Sequence, residues 1–141
     1  PNSTRPWQHV LEPLSGYMHL ASMLYNEGKI FQGGWNFGPL DTSNHTVSEL
    51  IDDVVKYDDG VNCTIIDNNE KQEANLLKLD ISKAVSLLEW VPVLGFEETI
   101  KYTVVGYLSD LANDSAKDNR LRTINSYSKT AQIKKIPWAL D

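Results

Sequence analysis

Cysteine is almost missing: Cys63 stands alone among 141 residues. A single cysteine cannot close an internal disulfide, so packing has to hold the fold, and a reducing, cytoplasmic setting is expected. Cys63 lies in the run Cys63-Thr64-Ile65-Ile66 and reads as a buried, inert thiol. No apolar run approaches the ~20 residues needed to cross a bilayer, so no membrane partner is expected. Basic residues are the minority, 13 against 19 acidic, for a net charge of −6. Non-specific nucleic-acid binding needs a basic face, so that partner class is excluded. His9, His19 and His45 lack metal-ligand spacing, and no metal site is expected. There is no Gly-x-Gly-x-x-Gly or Gly-x-x-Gly-x-x-Gly turn to receive a pyrophosphate at a helix start. Asn-x-Ser/Thr triplets begin at Asn2, Asn44, Asn62 and Asn113, and in a chain rich in these residues they read as chance. Residue 1 is proline, so the natural start is expected upstream.

What is present reads as an α/β chain, with about four substantial helices and three or four short strands. Pro13 opens a helix to Glu27, because proline is tolerated in a first turn where its missing N–H has no partner to lose. Leu14, Tyr17, Met18, Ala21, Leu24 and Tyr25 give it one apolar stripe, and Gly28 is its C-cap. Trp35-Asn36-Phe37 reads as a short strand between Gly33-Gly34 and Gly38-Pro39. Thr46 to Tyr57 is a helix with a Thr46/Glu49 capping box and a buried face of Val47, Leu50, Ile51, Val54 and Val55. Strands are expected over 61–66 and 76–79, separated by a polar loop over 67–72. Asp80 caps a helix over 81–89. Phe96 to Leu111 reads as the longest helix, with Phe96, Ile100, Val104 and Tyr107 on its stripe. The chain divides into 1–113 and a polar C-terminal extension, 114–141, with a weakly signalled helix near 120–126. The extension closes on the apolar cluster Ile136-Pro137-Trp138-Ala139-Leu140.

One stretch stands out: Arg5-Pro6-Trp7-Gln8-His9-Val10-Leu11-Glu12-Pro13. A cation stands beside a flat indole, a short extended run covers Trp7 to Val10, and a helix follows. Two readings of Arg5 stand from the residues alone. It is either a surface arginine paired with Glu12, or a bidentate phosphate ligand. His9 is either a packed structural histidine or, by alternation, on the same side as Arg5 and Trp7. Asn36 is either a turn former or an amide reaching a ligand. Tyr25 and Lys29 stand four apart, but at a helix end before Gly28, and read as coincidence.

Thr4-Arg5-Pro6-Trp7-Gln8-His9-Val10-Leu11-Glu12-Pro13-Leu14-Ser15-Gly16-Tyr17 resembles the CDP-glucose 4,6-dehydratases, within the extended short-chain dehydrogenase/reductase family of nucleotide-sugar enzymes. Trp35-Asn36-Phe37-Gly38-Pro39, Glu73 to Asp80 and Ser82-Lys83-Ala84 agree in order. Leu88-Glu89-Trp90-Val91-Pro92 is similar to the family's Leu-Gly-Trp-x-Pro, with Glu89 where glycine is usual. Epimerase and decarboxylase relatives commonly carry Asp-Tyr or Asp-Trp where this chain has Pro6-Trp7. The resemblance implies the C-terminal part of a Rossmann-type fold, with the cofactor-binding half outside this chain. It implies a lyase that uses NAD to remove a hydride from C4 of CDP-glucose, lose water across C5 and C6, and return the hydride to C6. The catalytic acid/base groups and NAD then belong to the absent half, and this chain alone is expected to be inactive. Its own share is substrate binding: Arg5 on the diphosphate, Trp7 on ribose or base, Asn36 near phosphate, and Glu73, seven before Asp80, on the ribose hydroxyls. Lys71 is the candidate for the second phosphate contact and Lys78 the reserve. Self-association, or a partner fragment, is expected over the bare faces of the Pro13 and Thr46 helices. Two other classes remain: part of a related epimerase or decarboxylase, or a non-catalytic binding module.

Overall fold

The computed structural model describes residues 1–40, 45–64, 77–112 and 115–140. Its order is β1 (Thr4–Arg5), α1 (Leu11–Glu27), β2 (His45–Thr46), α2 (Val47–Val55), α3 (Ser82–Leu88), α4 (Phe96–Leu111) and α5 (Ala116–Ile133). Single 3₁₀ turns follow α1 at Gly28–Phe31 and α5 at Pro137–Ala139. The strands pair antiparallel, Thr4 with Thr46 and Arg5 with His45. The chain is therefore mostly helical, with two short strands among the described residues.

The strand expected at Trp35–Phe37 does not form. A strand needs a neighbour to take its backbone groups, and this segment instead lies against α1 with Phe37 driven into the core. Residues 61–64 and 77–79 likewise form no strand, and Ile65, Ile66 and Leu76 lie outside the described residues, as does the loop over 67–72. Cys63 is exposed, not buried. Residues 61–64 form no strand that would bury it.

Helix ends follow local chemistry. Pro13 falls in the first turn of α1, and Gly28 caps its end at φ 69°. At α2, Thr46 Oγ1 accepts from Glu49 N at 3.2 Å while Glu49 Oε2 accepts from Thr46 N at 2.7 Å. Asp80 Oδ1 accepts from Ser82 N at 2.8 Å at the start of α3. Before α4, Gly95 N donates to Glu98 Oε2 at 2.8 Å. Ser115 Oγ accepts from Asp118 N at 3.4 Å and starts α5, which at 18 residues is longer than the 16-residue α4.

The core has two parts. Phe31, Phe37, Ile81, Ala84, Leu88 and Trp90 form one, with Leu20, Met23, Leu24 and Trp35 against it. Val93, Leu94, Tyr127 and Ala131 form the other, and Trp138 touches both. Helix α5 therefore supplies core side chains from a stretch whose polarity reads as a tail. Three expected faces are corrected. On α1, Leu14, Tyr17, Met18, Ala21 and Tyr25 of the stripe are exposed and only Leu24 packs against the core, while Glu12 and Gly16 are buried. Gly16 explains the choice of side, because a Cβ there stands 2.2 Å from the Phe37 ring and only glycine admits it. On α2 no residue is fully buried, and on α4 Tyr107 is exposed.

Glu89 ends α3 in the left-handed conformation, φ 52° and ψ 22°. That geometry suits glycine, because a Cβ there costs roughly 1–2 kcal/mol. Glycine's extra unfolded-state freedom offsets roughly 0.5–1 kcal/mol of the relief. Glu89→Gly should therefore stabilise the chain by about 0.5–1 kcal/mol. A urea midpoint that is unchanged or lower would show that the turn is not strained.

Candidate functional site

Arg5 and Trp7 are placed by the β1–β2 pair. Arg5 Nη1 donates to Thr4 O at 2.8 Å. Trp7 N donates back to Arg5 O at 2.9 Å, closing a tight turn over Pro6, and the extended run expected from Trp7 stops short of Val10, whose φ −56° and ψ −29° are already helical. The Trp7 indole N–H donates to His45 O at 3.0 Å. His45 in turn stacks on Phe96 at 3.7 Å, which anchors β2 to the start of α4. Both Arg5 and Trp7 are half-buried, each keeping a side toward solvent.

Hydrogen bonds over long sequence separations bring the separate motifs together. Gln8 Nε2 donates to Phe37 O at 3.2 Å, joining the first motif to the second. Asn36 Nδ2 donates to Asp80 O at 3.1 Å, joining the second to the third. Lys83 Nζ donates to Gly34 O at 3.0 Å and lies 4.1 Å over the Trp35 ring, clamping the same junction. The Asn36 amide thus spends one proton on a carbonyl 44 residues away, a long-range tie and not the local bond of a turn-former. The Ser82 hydroxyl and amide hold the Asp80 carboxyl below its usual range. Lys78 is exposed two residues before Asp80. Lys71 and Glu73 lie outside the described residues.

His9 is buried and does not share a face with Arg5 and Trp7. Its Nδ1 accepts from Leu11 N at 3.3 Å, and its ring meets Tyr102 edge-on at 5.8 Å. Burial, and then the Arg120 charge, push its pKa down, so the ring is held neutral. This is the packed structural histidine.

Glu12 is the residue whose role sequence reasoning misassigned. It is 1 % exposed, and it does not pair with Arg5. Its Oε1 accepts from Leu94 N at 2.7 Å, and its Oε2 accepts from Val93 N at 3.0 Å and from Tyr127 Oη at 2.9 Å. Ser15 Oγ sits alongside, taking the Trp90 indole N–H at 3.1 Å and the Tyr127 hydroxyl at 3.2 Å. Burial raises the Glu12 pKa against the pull of its three donors. The same burial and the neighbouring Glu12 charge hold the Tyr127 hydroxyl protonated, far above its ordinary range. A buried carboxylate with three donors is a satisfied fastener. The signal for it was faint: one acidic residue in a helix's first turn among Leu11, Pro13 and Leu14.

Three cavities flank this arrangement, and none is lined by Arg5, Trp7 or Asn36. One of about 530 Å³ lies behind the first motif, between Gln8, His9, Leu14, Tyr102, Tyr107 and Arg120. Another of about 310 Å³ lies between α4 and α5. The third, about 770 Å³, is walled by Glu49, Asp52, Asp53, Glu97 and Glu98 and suits no anion. Among the described residues no group of histidine, cysteine and acidic side chains could hold a metal ion. No described helix is long and apolar enough to cross a membrane. Tyr25 is 91 % exposed at the end of α1, in keeping with a chance spacing to Lys29.

No protein-family model matches the chain. It is 48% identical over 101 residues to a CDP-glucose 4,6-dehydratase of Salmonella typhimurium (strain LT2). The aligned stretch covers 71% of this chain and 28% of that enzyme, so the chain spans less than a third of its relative's length. The resemblance carried by the Arg5-Pro6-Trp7 motif and its three followers is thereby borne out, as similarity to a C-terminal part of that enzyme.

Proposed function

We propose that this chain is the substrate-gripping portion of an NAD-dependent CDP-glucose 4,6-dehydratase, a lyase that forms CDP-4-keto-6-deoxy-glucose. The observation that carries the reading is the hydrogen-bonded junction of the same motifs that carry the similarity. Arg5 grips the diphosphate, where a planar fork of donors can meet two oxygens at once. Trp7, with its indole edge fixed to His45 O, offers a flat apolar face to ribose or base. Asn36 lies toward the phosphates, Glu73 takes the ribose hydroxyls, and Lys71 adds the second phosphate contact.

The sequence carries no glycine-rich turn of the kind that receives the pyrophosphate of NAD. A pyrophosphate needs free N–H groups at a glycine-rich helix start. Gly95 stands at such a start, but its N–H is taken by the Glu98 carboxylate, which repels an anion. The redox and proton-transfer chemistry therefore belongs to polypeptide outside this chain. The contribution here is orientation, which speeds reaction by holding the sugar in reacting geometry.

Calorimetric titration of the 141-residue chain with CDP and with NAD tests this. CDP should bind in a 1:1 complex, NAD should not, and CDP-glucose should not turn over. Absence of CDP binding, or a 4-keto product made by this chain alone, overturns the reading.

A further inference from the structure

The arm bearing Arg5 and Trp7 joins α1 through a root of two residues, His9 and Glu12. Glu12 N donates to His9 O at 2.9 Å and Leu11 N to His9 Nδ1 at 3.3 Å, so the backbone and ring of His9 are both tied to the first turn. Each root residue is also held from α5. Tyr127 donates to Glu12 Oε2 at 2.9 Å. Tyr102, the ring against which His9 packs, has its hydroxyl between Ser126 Oγ at 2.9 Å and Thr130 Oγ1 at 3.1 Å. Ser126 and Thr130 stand one turn apart on α5 with Tyr127 next to Ser126, and the Tyr127 ring stacks against Trp138 beyond the helix, which fixes its aim.

We propose that α5 positions the ligand arm, with Tyr127, Ser126 and Thr130 acting through Glu12 and through the Tyr102–His9 contact as positioning residues for Arg5 and Trp7. The effect on nucleotide binding rests on the reading of Arg5 and Trp7 as the grip; the mechanical coupling does not. None of the three touches the arm itself. Their influence passes through the first turn of α1, whose setting decides where the five residues before it emerge.

The test is Tyr127→Phe in the whole chain, which keeps the ring and removes only the hydroxyl. Hydrogen exchange of the indole N–H groups reads the outcome without a ligand. The Trp7 indole bonds to His45 O and reports the arm, while the Trp35 indole bonds to Phe31 O at 2.8 Å and reports the other core cluster. Trp7 exchange should rise roughly tenfold relative to Trp35, the scale of one lost hydrogen bond to a charged group. A purely structural role speeds both indoles by the same factor, and an unchanged ratio overturns the proposal. Ser126→Ala with Thr130→Ala, a change near the surface that leaves the Glu12–Tyr127 bond in place, should raise the same ratio by about threefold, as for a weaker neutral bond. Affinity for CDP should fall with the ratio, and each change should weaken binding by a smaller factor in an Arg5→Ala background, where only Trp7 is left to be positioned. Full additivity there overturns the proposal. If the unaltered chain binds no CDP, the nucleotide reading fails by itself and the exchange ratio still decides the coupling.

Discussion

Trp90→Ala should destabilise the chain by about 3–5 kcal/mol, the cost of emptying a fully buried aromatic site. Since a domain's whole stability is about 5–15 kcal/mol, one substitution takes a large share of it. The reasons are local. Trp90 is 0 % exposed and meets the Phe37 ring edge-on at 4.9 Å. Its indole N–H donates to Ser15 Oγ, and Ser15 also receives the Tyr127 hydroxyl. Removing the ring therefore opens a cavity beneath α1 and deprives the Glu12 cluster of a neighbour at the same time. Trp90→Phe fills part of the space and loses the donor, so its cost should be smaller, about 1–3 kcal/mol. Urea denaturation followed by circular dichroism measures both. A loss under about 1 kcal/mol for Trp90→Ala would mean that the two core clusters are not joined through this ring.

Arg5→Ala should weaken CDP binding roughly ten- to a hundredfold, since one charged hydrogen-bonded contact is worth ~1.5–3 kcal/mol. Arg5→Lys should recover only part of this, because an ammonium cannot form the two-pronged contact. The melting temperature should move far less than the affinity. The pair with Glu12 read in the sequence does not form, because Glu12 is occupied by Val93, Leu94 and Tyr127, and the Arg5 Nη1 bond to Thr4 O joins adjacent residues. On the proposed reading, the same change in a full-length enzyme carrying this portion should lower kcat/KM for CDP-glucose by a similar factor. Melting temperature and CDP affinity measured on one sample decide the matter. A drop in stability with affinity kept would make Arg5 a structural residue of the β1–β2 pair.

Much of the fold was legible wherever a single side chain decides an end. Thr46 with Glu49, Asp80 before Ser82, Gly28 after Glu27 and the bounds of Phe96–Leu111 all follow from capping and spacing. Faces were harder to read, because α1 is apolar on two sides and the packing of Phe37 on Gly16, not the stripe, chooses between them. Helix α5 was read too short for the opposite reason. It is polar almost throughout, and only Asn119, Tyr127 and Ala131 are buried. Its start was nevertheless written in Ser115-Ala116-Lys117-Asp118, a capping spacing. The strands at Trp35–Phe37 and beyond Val61 were inferred from β-branched and aromatic content, which describes a surface to pack against and creates no partner. Of the candidate site, Arg5, Trp7 and Asn36 were picked out by motif and remain a proposal. Glu12 was seen but assigned to the wrong neighbour, because nothing local announces contacts made 81 to 115 residues away.

Those separations bear on how the chain is made. Glu12 leaves the ribosome 115 residues ahead of Tyr127, which at ~5–20 residues per second is roughly 6–23 s. Val93 and Leu94 arrive within that interval, and until they do the carboxylate has no dry place to go. A charge without donors costs several kcal/mol to bury, so it stays hydrated and holds the first turn of α1 at the surface. The turn cannot seat, Ser15 cannot meet Trp90, and the aromatic cluster waits open. The first turn of α1 therefore cannot seat before Val93 and Leu94 emerge, and the carboxylate's third donor comes only with Tyr127.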